Sequence, residues 1–281
     1  MLVHALGPAD LALALFGVVL GALGTLVGVG GGFLIVPVVV LLEPSWETRT
    51  VTAFSLAVVC ANASSGTIAY LRQRRVDVRS ALPFAAAAIP GVCVGVVGAD
   101  KLERGWFDPL FGLLLLAMAS WLAFVPARTR GGPLGSTRRT LEDAHGQRYA
   151  WSFDMRLGLL GSVVVGIVSA LFGIGGGPIQ VPFLVAVLNY PEHVATATSH
   201  AVLAVTSLVA TIIHAAQGDY HGDVTATVAT SLGAVIGAPL GARLSRFVPG
   251  KVLLRILAAM LAFIAFRLLW RAFAARRTDL G

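Results

Sequence analysis

Charged residues are scarce in this chain of 281 residues: Asp, Glu, Lys and Arg make up 12% of it, against 57% hydrophobic residues. Soluble globular domains contain about a quarter charged residues. The charges are also bunched, and they leave seven uncharged stretches at 11–42, 50–71, 80–99, 109–127, 157–191, 193–218 and 224–242. Apolar stretches of about 18 residues or more are typical of membrane-spanning helices. The composition therefore excludes a soluble domain and predicts an all-α, polytopic membrane protein.

Cysteines and catalytic motifs are also scarce. Cys60 and Cys93 lie in separate apolar stretches, which argues against a disulfide or a metal site. The chain has no Gly-x-Ser-x-Gly, His-Glu-x-x-His or P-loop motif. We therefore predict no catalytic residue, no metal and no cofactor, and a protein that is not an enzyme. The first Lys or Arg is Arg49, so a basic signal-peptide start is missing and the first helix is expected to be retained.

Glycines interrupt two uncharged stretches that are too long for one helix. Gly28-Val-Gly-Gly-Gly-Phe-Leu-Ile-Val-Pro37 aligns with Gly173-Ile-Gly-Gly-Gly-Pro-Ile-Gln-Val-Pro182. Further along, Thr52-Ala-Phe-Ser55 aligns with Thr196-Ala-Thr-Ser199, and Gly91-x3-Gly95 aligns with Gly233-x3-Gly237. These matches, in the same order in both halves, indicate an internal duplication in which each half contains a glycine break followed by a short helix.

The duplication predicts a first transmembrane repeat at 1–126, a basic linker at 127–155, and a second repeat with a tail at 156–281. The linker is rich in arginine and glycine, and we expect a flexible loop on the cytoplasmic side. If both short helices cross the membrane, there are ten spans with both termini outside; if neither does, there are eight with both termini inside. The loop at 72–79 has four arginines and its counterpart at 217–223 has none, which favours two five-segment halves of opposite orientation.

The two glycine breaks are the clearest functional signal. Glycine lets the backbone leave a helix and approach a ligand closely. The free N–H groups and the dipole at the start of a helix attract anions. Two short helices that begin after such breaks would form an anion site in the membrane without a buried Lys or Arg. The alternative is that these small residues only let helices pack closely.

Polar side chains recur on one face of the helix that follows each break. They are Thr52, Ser55 and Asn62 in the first half, and Thr196, Ser199 and His200 in the second. Hydrogen bonds between helices explain the Ser and Thr residues equally well. Asn62, His200 and Gln180 are costlier to bury, so they are the better candidates for contact with a ligand.

Histidine titrates near neutral pH, so His200 and His214 also allow a proton-coupled mechanism. We expect His214 to be interfacial, because it lies near the end of its segment beside Gln217 and Asp219. The acidic residues lie at segment boundaries, which argues against a proton relay through buried carboxylates. The net charge of +7 comes from loops between spans, so it indicates membrane topology and not a nucleic-acid partner.

The paired Gly-x-Gly-Gly-Gly segments and the Thr-Ala-Thr-Ser-type helix resemble the sulfite exporter TauE/SafE family, also called the 4-toluene sulfonate uptake permease (TSUP) family. The resemblance covers about 10–273. It implies a bacterial inner-membrane carrier for small sulfur-containing or organic anions such as sulfite, sulfoacetate, thiosulfate or sulfonates. The substrate-binding residues that it implies are Gly28, Gly30, Gly31, Gly32 and Pro37, with Gly173, Gly175, Gly176, Gly177 and Pro182. Phe54 replaces the second Thr of the motif in the first half, so that half is expected to contact substrate differently.

The sequence thus predicts a secondary transporter whose partners are a small anion and the lipid bilayer. Coupling to a proton or another ion stays open, as does the oligomeric state. The competing interpretations are an anion channel, a membrane scaffold, and an intramembrane enzyme that would use His200 with a serine.

Overall fold

The computed structural model describes residues 8–43, 45–124, 135–220 and 224–278. This part of the chain forms helices and one β-hairpin. In chain order the elements are α1 (Pro8–Val27), α2 (Gly32–Leu42), α3 (Thr48–Arg72), α4 (Val78–Lys101), α5 (Arg104–Phe124), β1 (Thr137–Glu142), β2 (Arg148–Phe153), α6 (Met155–Phe172), α7 (Gly177–Pro182) with a π-helical turn (Phe183–Val187), α8 (Glu192–Gln217), α9 (Val224–Leu244) and α10 (Gly250–Thr278).

Length and hydropathy suit these helices to a bilayer. Seven of the described helices, namely α1, α3, α4, α6, α8, α9 and α10, contain an apolar window of 18 residues. Because about 20 helical residues cross the hydrocarbon core, each is long enough to span it. Two shorter apolar segments lie at Gly105–Trp121 in α5 and at Gly177–Val187 in α7 and its π turn. The prediction of an all-α, polytopic membrane protein is confirmed.

Glycines bring helices of the two halves into close contact. α1 packs mainly on α9, and α4 packs mainly on α6. A Cβ atom on Gly21 would lie 2.5 Å from the carbonyl oxygen of Ala234, so only glycine fits there. Gly237 lies equally close to α1, and Gly91 and Gly95 lie against α6. The absent side chains therefore let the first half and the second half pack backbone against backbone.

When α1–α5 are matched in order with α6–α10, contacts in one half have counterparts in the other. The α1–α9 contact corresponds to the α6–α4 contact, and the α3–α9 contact corresponds to the α8–α4 contact. The pairs α3–α8 and α5–α10 each map onto themselves. Two halves related by a pseudo-twofold axis would produce this pattern. The duplication, its inverted orientation and the boundaries of the repeats stay predictions.

The helices define two ends of the molecule. At the end that we call the hairpin end, the turn after α3 meets the end of α9, where Gln73 donates to the carbonyl of Ala242 at 2.9 Å. At the opposite end, Tyr220 donates to the carbonyl of Ala53 at 3.3 Å, which joins the end of α8 to the start of α3. α3 and α8 are therefore antiparallel neighbours at the centre of the fold.

Each short helix returns to the end from which the chain entered. α1 runs beside α9 toward the hairpin end, and α2 then leads back to the start of α3 at the opposite end. α6 starts at the hairpin end, and α7 with its π turn leads back to Tyr190, which bonds Asp77 at that same end. This order of ends is the one expected for two five-segment halves. The side of the membrane that each end faces stays a prediction.

The 127–155 segment, expected to be a flexible loop, contains a β-hairpin. β1 and β2 pair in antiparallel register from Thr137–Phe153 to Glu142–Arg148. The hairpin is ordered because alternate residues of β2 are buried: Tyr149, Trp151 and Phe153 face the helices. The Trp151 and Phe153 rings lie 5.0 and 5.1 Å from the Tyr190 ring. The expectation of an irregular loop is thus wrong for this part, and 125–134 lie outside the described residues.

Buried charges hold the hairpin against the helices. Asp77 caps α4 and accepts a hydrogen bond from Tyr190 at 3.0 Å, and Arg139 of β1 lies 3.6 Å from the same carboxylate. Burial raises the pKa of Tyr190, so its hydroxyl remains a donor. Arg75 pairs with Asp143 in the hairpin turn at 3.5 Å. The hairpin therefore covers the ends of α3, α4 and α7 through specific polar contacts as well as aromatic packing.

Candidate functional site

Six glycines give the two breaks the same backbone conformation. The φ angles are 82°, 76° and 85° at Gly28, Gly30 and Gly31, and 67°, 74° and 79° at Gly173, Gly175 and Gly176. A residue with a side chain would lose roughly 1–2 kcal/mol in this left-handed region. The chain therefore needs glycine at these positions to turn from α1 into α2 and from α6 into α7.

The two breaks contact each other in the interior. A Cβ atom on Gly32 would lie 2.8 Å from the carbonyl oxygen of Ile174, and one on Gly177 would lie 2.6 Å from that of Val29. Val29 and Ile174 are both fully buried. The predicted meeting of the two glycine segments is thus present, and we call it the crossing (residues 28–32 and 173–177).

Each break rests on the polar helix of the other half. A Cβ atom on Gly28 would lie 2.8 Å from Cα of Thr196, and one on Gly173 would lie 2.8 Å from Cα of Thr52. The Ser55 hydroxyl donates to the carbonyl of Gly173 at 2.6 Å. Thr52, Ser55 and Thr196 therefore support the crossing.

The hydroxyls of Thr52 and Thr196 are already used within their own helices. They donate to the carbonyls of Arg49 at 2.9 Å and Glu192 at 2.8 Å. These two threonines therefore act through packing in this conformation, and a ligand would compete with their helix carbonyls for the hydroxyl groups.

The two helix starts offer different numbers of donors. Leu34 N–H bonds back to the carbonyl of Gly31, which leaves the N–H groups of Gly32 and Phe33 without a partner inside α2. In α7 the second residue is Pro178, which has no N–H group. The first half is therefore the richer donor, an asymmetry that the matching glycines alone did not predict.

Apolar side chains pack on the crossing in this conformation. A Cβ atom on Gly30 would lie 2.6 Å from Leu203, and one on Gly175 would lie 2.5 Å from Val59. With Ala63, these residues form a small buried cluster between α3 and α8. An anion that binds at the crossing must displace Val59 and Leu203 or bind beside them.

Asn62 and His200, two of the three polar residues that are predicted to be costlier to bury, meet through Thr25. The Thr25 hydroxyl donates to Asn62 Oδ1 at 3.0 Å and lies 3.1 Å from His200 Nε2. Tyr70 donates to the carbonyl of Thr25 at 2.6 Å, and its ring stands edge-on to His200. All four side chains are buried. They form a connected polar network beside the start of the first break, since Thr25 lies in the last turn of α1.

Thr25 and Tyr70 are not among the residues predicted from the sequence. A signal for Thr25 exists, because it is the one hydroxyl residue in α1. Tyr70 has no comparable signal, since it lies near the end of a helix where aromatic residues are common interface anchors.

Several buried polar atoms near the crossing have no hydrogen-bond partner within the described residues. They are Asn62 Nδ2, His200 Nδ1, Ser199 Oγ, and Oε1 and Nε2 of Gln180. A buried polar group that forms no bond costs roughly 1–3 kcal/mol. Such groups in a native protein point to an occupant that satisfies them, either water or a ligand. Ser199 and Gln180 therefore remain the strongest candidates, along with the free atoms of Asn62 and His200.

The prolines act on helix geometry. Pro37 lies inside α2, and Pro182 ends α7 just before the π-helical turn. Since proline removes a helix hydrogen bond, the change from α to π geometry after Pro182 has a local cause. Their predicted contact with substrate stays a prediction.

The structure shows how the ionisable groups near the helix ends are buried. His214 lies in the last turn of α8, is fully buried within the protein and lies 2.7 Å from Asp219; its interfacial position in the membrane stays a prediction. Among the acidic residues at segment boundaries, Asp77 and Asp219 are buried, so burial of a carboxylate does not require a position deep in an apolar stretch. The physical reason is that loops and the hairpin fold back over the helix ends and cover them.

Comparison with known proteins agrees with the transmembrane architecture. The profile of the family described as sulfite exporter TauE/SafE matches residues 13–268. The chain is 28% identical over 216 residues to "Probable membrane transporter protein YunE" of Bacillus subtilis (strain 168), covering 73% of this chain and 78% of that protein. It is 25% identical over 202 residues to "Probable membrane transporter protein MJ0441" of Methanocaldococcus jannaschii, covering 70% of this chain and 68% of that protein.

No solved structure matches the chain. The family profile spans nearly all of it, including both glycine breaks and both polar helices. The chain therefore belongs to the sulfite exporter TauE/SafE family of membrane transporters.

Proposed function

We propose that this membrane transporter is a secondary carrier of small anions, sulfur-containing or organic, such as sulfite, sulfoacetate, thiosulfate or other sulfonates. The observation that supports the proposal is the crossing, where two glycine breaks meet next to buried polar atoms that lack partners. The donors near it are neutral amides, a hydroxyl and backbone N–H groups. Neutral donors suit an anion that must be both bound and released, because they add no buried countercharge.

The proposed binding residues are those of the crossing and its two supporting helices. Gly32 and Phe33 N–H groups and the amide of Gln180 would bind the anion, with Ser199 and Asn62 as further donors. The substrate would reach them when Val59 and Leu203 move aside. The family profile supports the sulfur-containing class by the name that it carries.

Alternating access would arise from movement of one half against the other. The most extensive contacts between the halves are the glycine-lined pairs α1–α9 and α4–α6, where backbone packs on backbone, and we expect the halves to slide along these interfaces. The concentration of arginines at the hairpin end supports a cytoplasmic location for that end. The bacterial inner membrane is the location that the family resemblance implies, and we include it in the proposal.

The test is transport in vesicles reconstituted with the full chain. We expect saturable uptake of labelled sulfite or a sulfonate, with counterflow when the unlabelled anion is placed on the far side. Gln180→Met removes two unpartnered buried atoms, so it is expected to keep or raise thermal stability while lowering transport at least about tenfold, the effect of losing a hydrogen bond worth about 1.4 kcal/mol.

Thr206→Val is the matched control, because in the described part of the chain the Thr206 hydroxyl bonds only to carbonyls of its own helix, those of Val202 and Leu203. It is expected to leave transport near the wild-type rate. Flux without saturation or counterflow would indicate a channel. Absence of any anion flux, or unchanged flux in Gln180→Met, would contradict the proposed carrier site.

A further inference from the structure

His214 and Asp219 form a buried ionisable pair at the opposite end of α8. Nδ1 of His214 lies 2.7 Å from a carboxylate oxygen of Asp219, and both side chains are almost inaccessible to solvent. The pair lies away from the crossing, about 21 Å along the helix from His200. It is therefore distinct from the proposed anion site.

The chain builds this pair locally. Gly218 ends α8 in the left-handed conformation with φ of 77°, and its N–H bonds to the carbonyl of Ala215 at 3.2 Å. The next residue folds back, so that Asp219 N–H bonds to the carbonyl of His214 at 3.0 Å. Glycine at the helix end thus places a carboxylate on the last turn of the same helix.

The contact determines which ring nitrogen can take up a proton. An ionised carboxylate only accepts hydrogen bonds, so Nδ1 of His214 carries the hydrogen and Nε2 has the free lone pair. Nε2 is buried and has no hydrogen-bond partner within the described residues. The pair therefore has a net charge of −1 while the imidazole is neutral, and no net charge after Nε2 is protonated.

Among the described residues, the groups around the pair do not supply a competing buried cation. Tyr220 follows Asp219, and burial raises the pKa of its phenol to about 12, so it stays neutral. Cys60 lies on α3 beside the same loop. Arg49 of α3 is exposed and paired with Glu47. Asp100 and Lys101 end α4 at this end and are exposed, and α6 and α7 have no ionisable residue here.

A short chain of contacts links the pair to the crossing. Tyr220 donates to the carbonyl of Ala53 at 3.3 Å, in the second turn of α3. Thr52 and Ser55, on either side of Ala53, contact Gly173 in the second break. A movement of the 219–220 segment would therefore be transmitted to Thr52 and Ser55, which support the crossing.

We propose that His214 and Asp219 form the proton-coupling site of the carrier, and that one proton moves with each monovalent anion. The inference rests on the proposed anion transport. Nε2 accepts a proton from water on the side where substrate binds, and the imidazolium is then neutralised by Asp219. After the conformational change the proton leaves Nε2 for water on the other side, and the anion is released there. Proton and anion together move no net charge.

The experiment uses vesicles containing the full chain, with the membrane voltage clamped by valinomycin and potassium. Methanesulfonate is the probe, because its charge does not change with pH near neutrality. A proton gradient that is acidic on the side of the probe should drive accumulation of the anion. A coupled carrier with one proton per anion concentrates it up to about tenfold per pH unit of gradient, since one pH unit is a factor of ten in proton activity.

His214→Gln is expected to abolish this accumulation while anion exchange at equal pH continues. Asp219→Asn is expected to do the same, because the imidazolium loses its countercharge. His193→Gln is the control: it changes a histidine in the first turn of α8, at the hairpin end, and should leave accumulation at the wild-type level. Accumulation in His214→Gln would overturn the proposal.

Two further outcomes separate this inference from the proposed function. Wild-type exchange without gradient-driven accumulation overturns the proton-coupling site and leaves the carrier intact, whereas no flux of any kind overturns both. If His214→Gln also loses exchange, proton uptake on addition of methanesulfonate, measured with a pH-sensitive dye in weak buffer, decides the matter. Uptake equal to that of the wild type contradicts the proposal, and loss of uptake supports it.

Discussion

Glycine is used at the crossing for two separate reasons. Gly28 combines a left-handed backbone with close packing on Thr196, whereas Gly146 in the hairpin turn has φ of 80° and open space around its Cα atom. Gly105 in the first turn of α5 has neither constraint. Substitutions at these three positions therefore distinguish the cost of backbone strain from the cost of steric overlap.

The first prediction concerns the alanine variants at these positions. Gly105→Ala should change the free energy of unfolding by less than about 1 kcal/mol, and Gly146→Ala should cost about 1–2 kcal/mol through strain alone. Gly28→Ala should cost more than either, because its new Cβ would also overlap Thr196. Thermal unfolding of the purified protein in detergent measures the order. Equal stability of Gly28→Ala and Gly105→Ala would show that the break does not need glycine.

Single residues can be selected from the sequence where their own helix carries the signal, although their contact with substrate stays a prediction. The repeated glycines, Ser55, Asn62 and His200 stand out by spacing and by the cost of burying them. Thr25 is not predicted, because the spacing of polar residues along α3 or α8 identifies one face of that helix. It does not identify the residues of the neighbouring helix that pack on this face. The roles of Thr52 and Thr196 in supporting the breaks depend on contacts across the two halves, which no local pattern contains.

At the scale of elements, the helices were foreseeable and the hairpin was not. Long apolar stretches identify helices in a membrane directly. The hairpin signal is short: Tyr149, Trp151 and Phe153 alternate with less buried residues over one strand. The basic and glycine-rich sequence around this strand is typical of a loop, and it favours a loop more strongly than the short alternation favours a strand. The packing of the strand on Tyr190 and Phe84 stabilises it, and that partner surface is remote in the chain.

The second prediction concerns the hairpin turn and pH. Burial alone would raise the pKa of Asp143, but hydrogen bonds from the His145 and Gln147 N–H groups and the nearby Arg75 outweigh it, so its pKa lies below the ordinary value. Because its pKa is lower in the folded than in the unfolded protein, the ionised Asp143 stabilises the fold at pH values above its pKa in the unfolded chain. This stabilisation is lost as the pH falls through its pKa in the folded protein. Asp143→Asn should therefore destabilise the protein by about 1–3 kcal/mol at neutral pH and by little in strong acid.

The measurement is the difference in thermal stability between wild type and variant across pH. Glu142→Gln in the same hairpin is the comparison, because its partner Arg148 is exposed and surface pairs contribute only about 0–1 kcal/mol. A destabilisation by Asp143→Asn that persists undiminished in acid would contradict the assignment.

At the scale of the whole molecule, successive helices connect the two ends of the fold. The 45–47 turn between α2 and α3 lies at the opposite end, and the 143–147 turn lies at the hairpin end. From the sequence, the total of basic residues does not distinguish ten spans from eight, because both models divide these residues equally. The charges of equivalent loops favour two five-segment halves of opposite orientation, and this arrangement stays a prediction.

The third prediction assigns the two ends to the two sides of the membrane. With Cys60 and Cys93 replaced by serine, Gln147→Cys should react with an impermeant thiol reagent only from the cytoplasmic side, and Ser45→Cys only from the outer side. The reason is the excess of arginine at the hairpin end. Labelling of intact cells and of inverted vesicles measures it. Reaction of both cysteines from one side would exclude the proposed arrangement.

The pairing of α1 with α9 also matters for biosynthesis. α1 is made well before the helix on which it mainly packs, which begins at Val224. α5 likewise packs mainly on α10, which begins at Gly250. During insertion we therefore expect lipid or the insertion machinery to cover the surfaces that these early helices later bury. Neither α1 nor α5 reaches its final packing before α9 and α10 have been made.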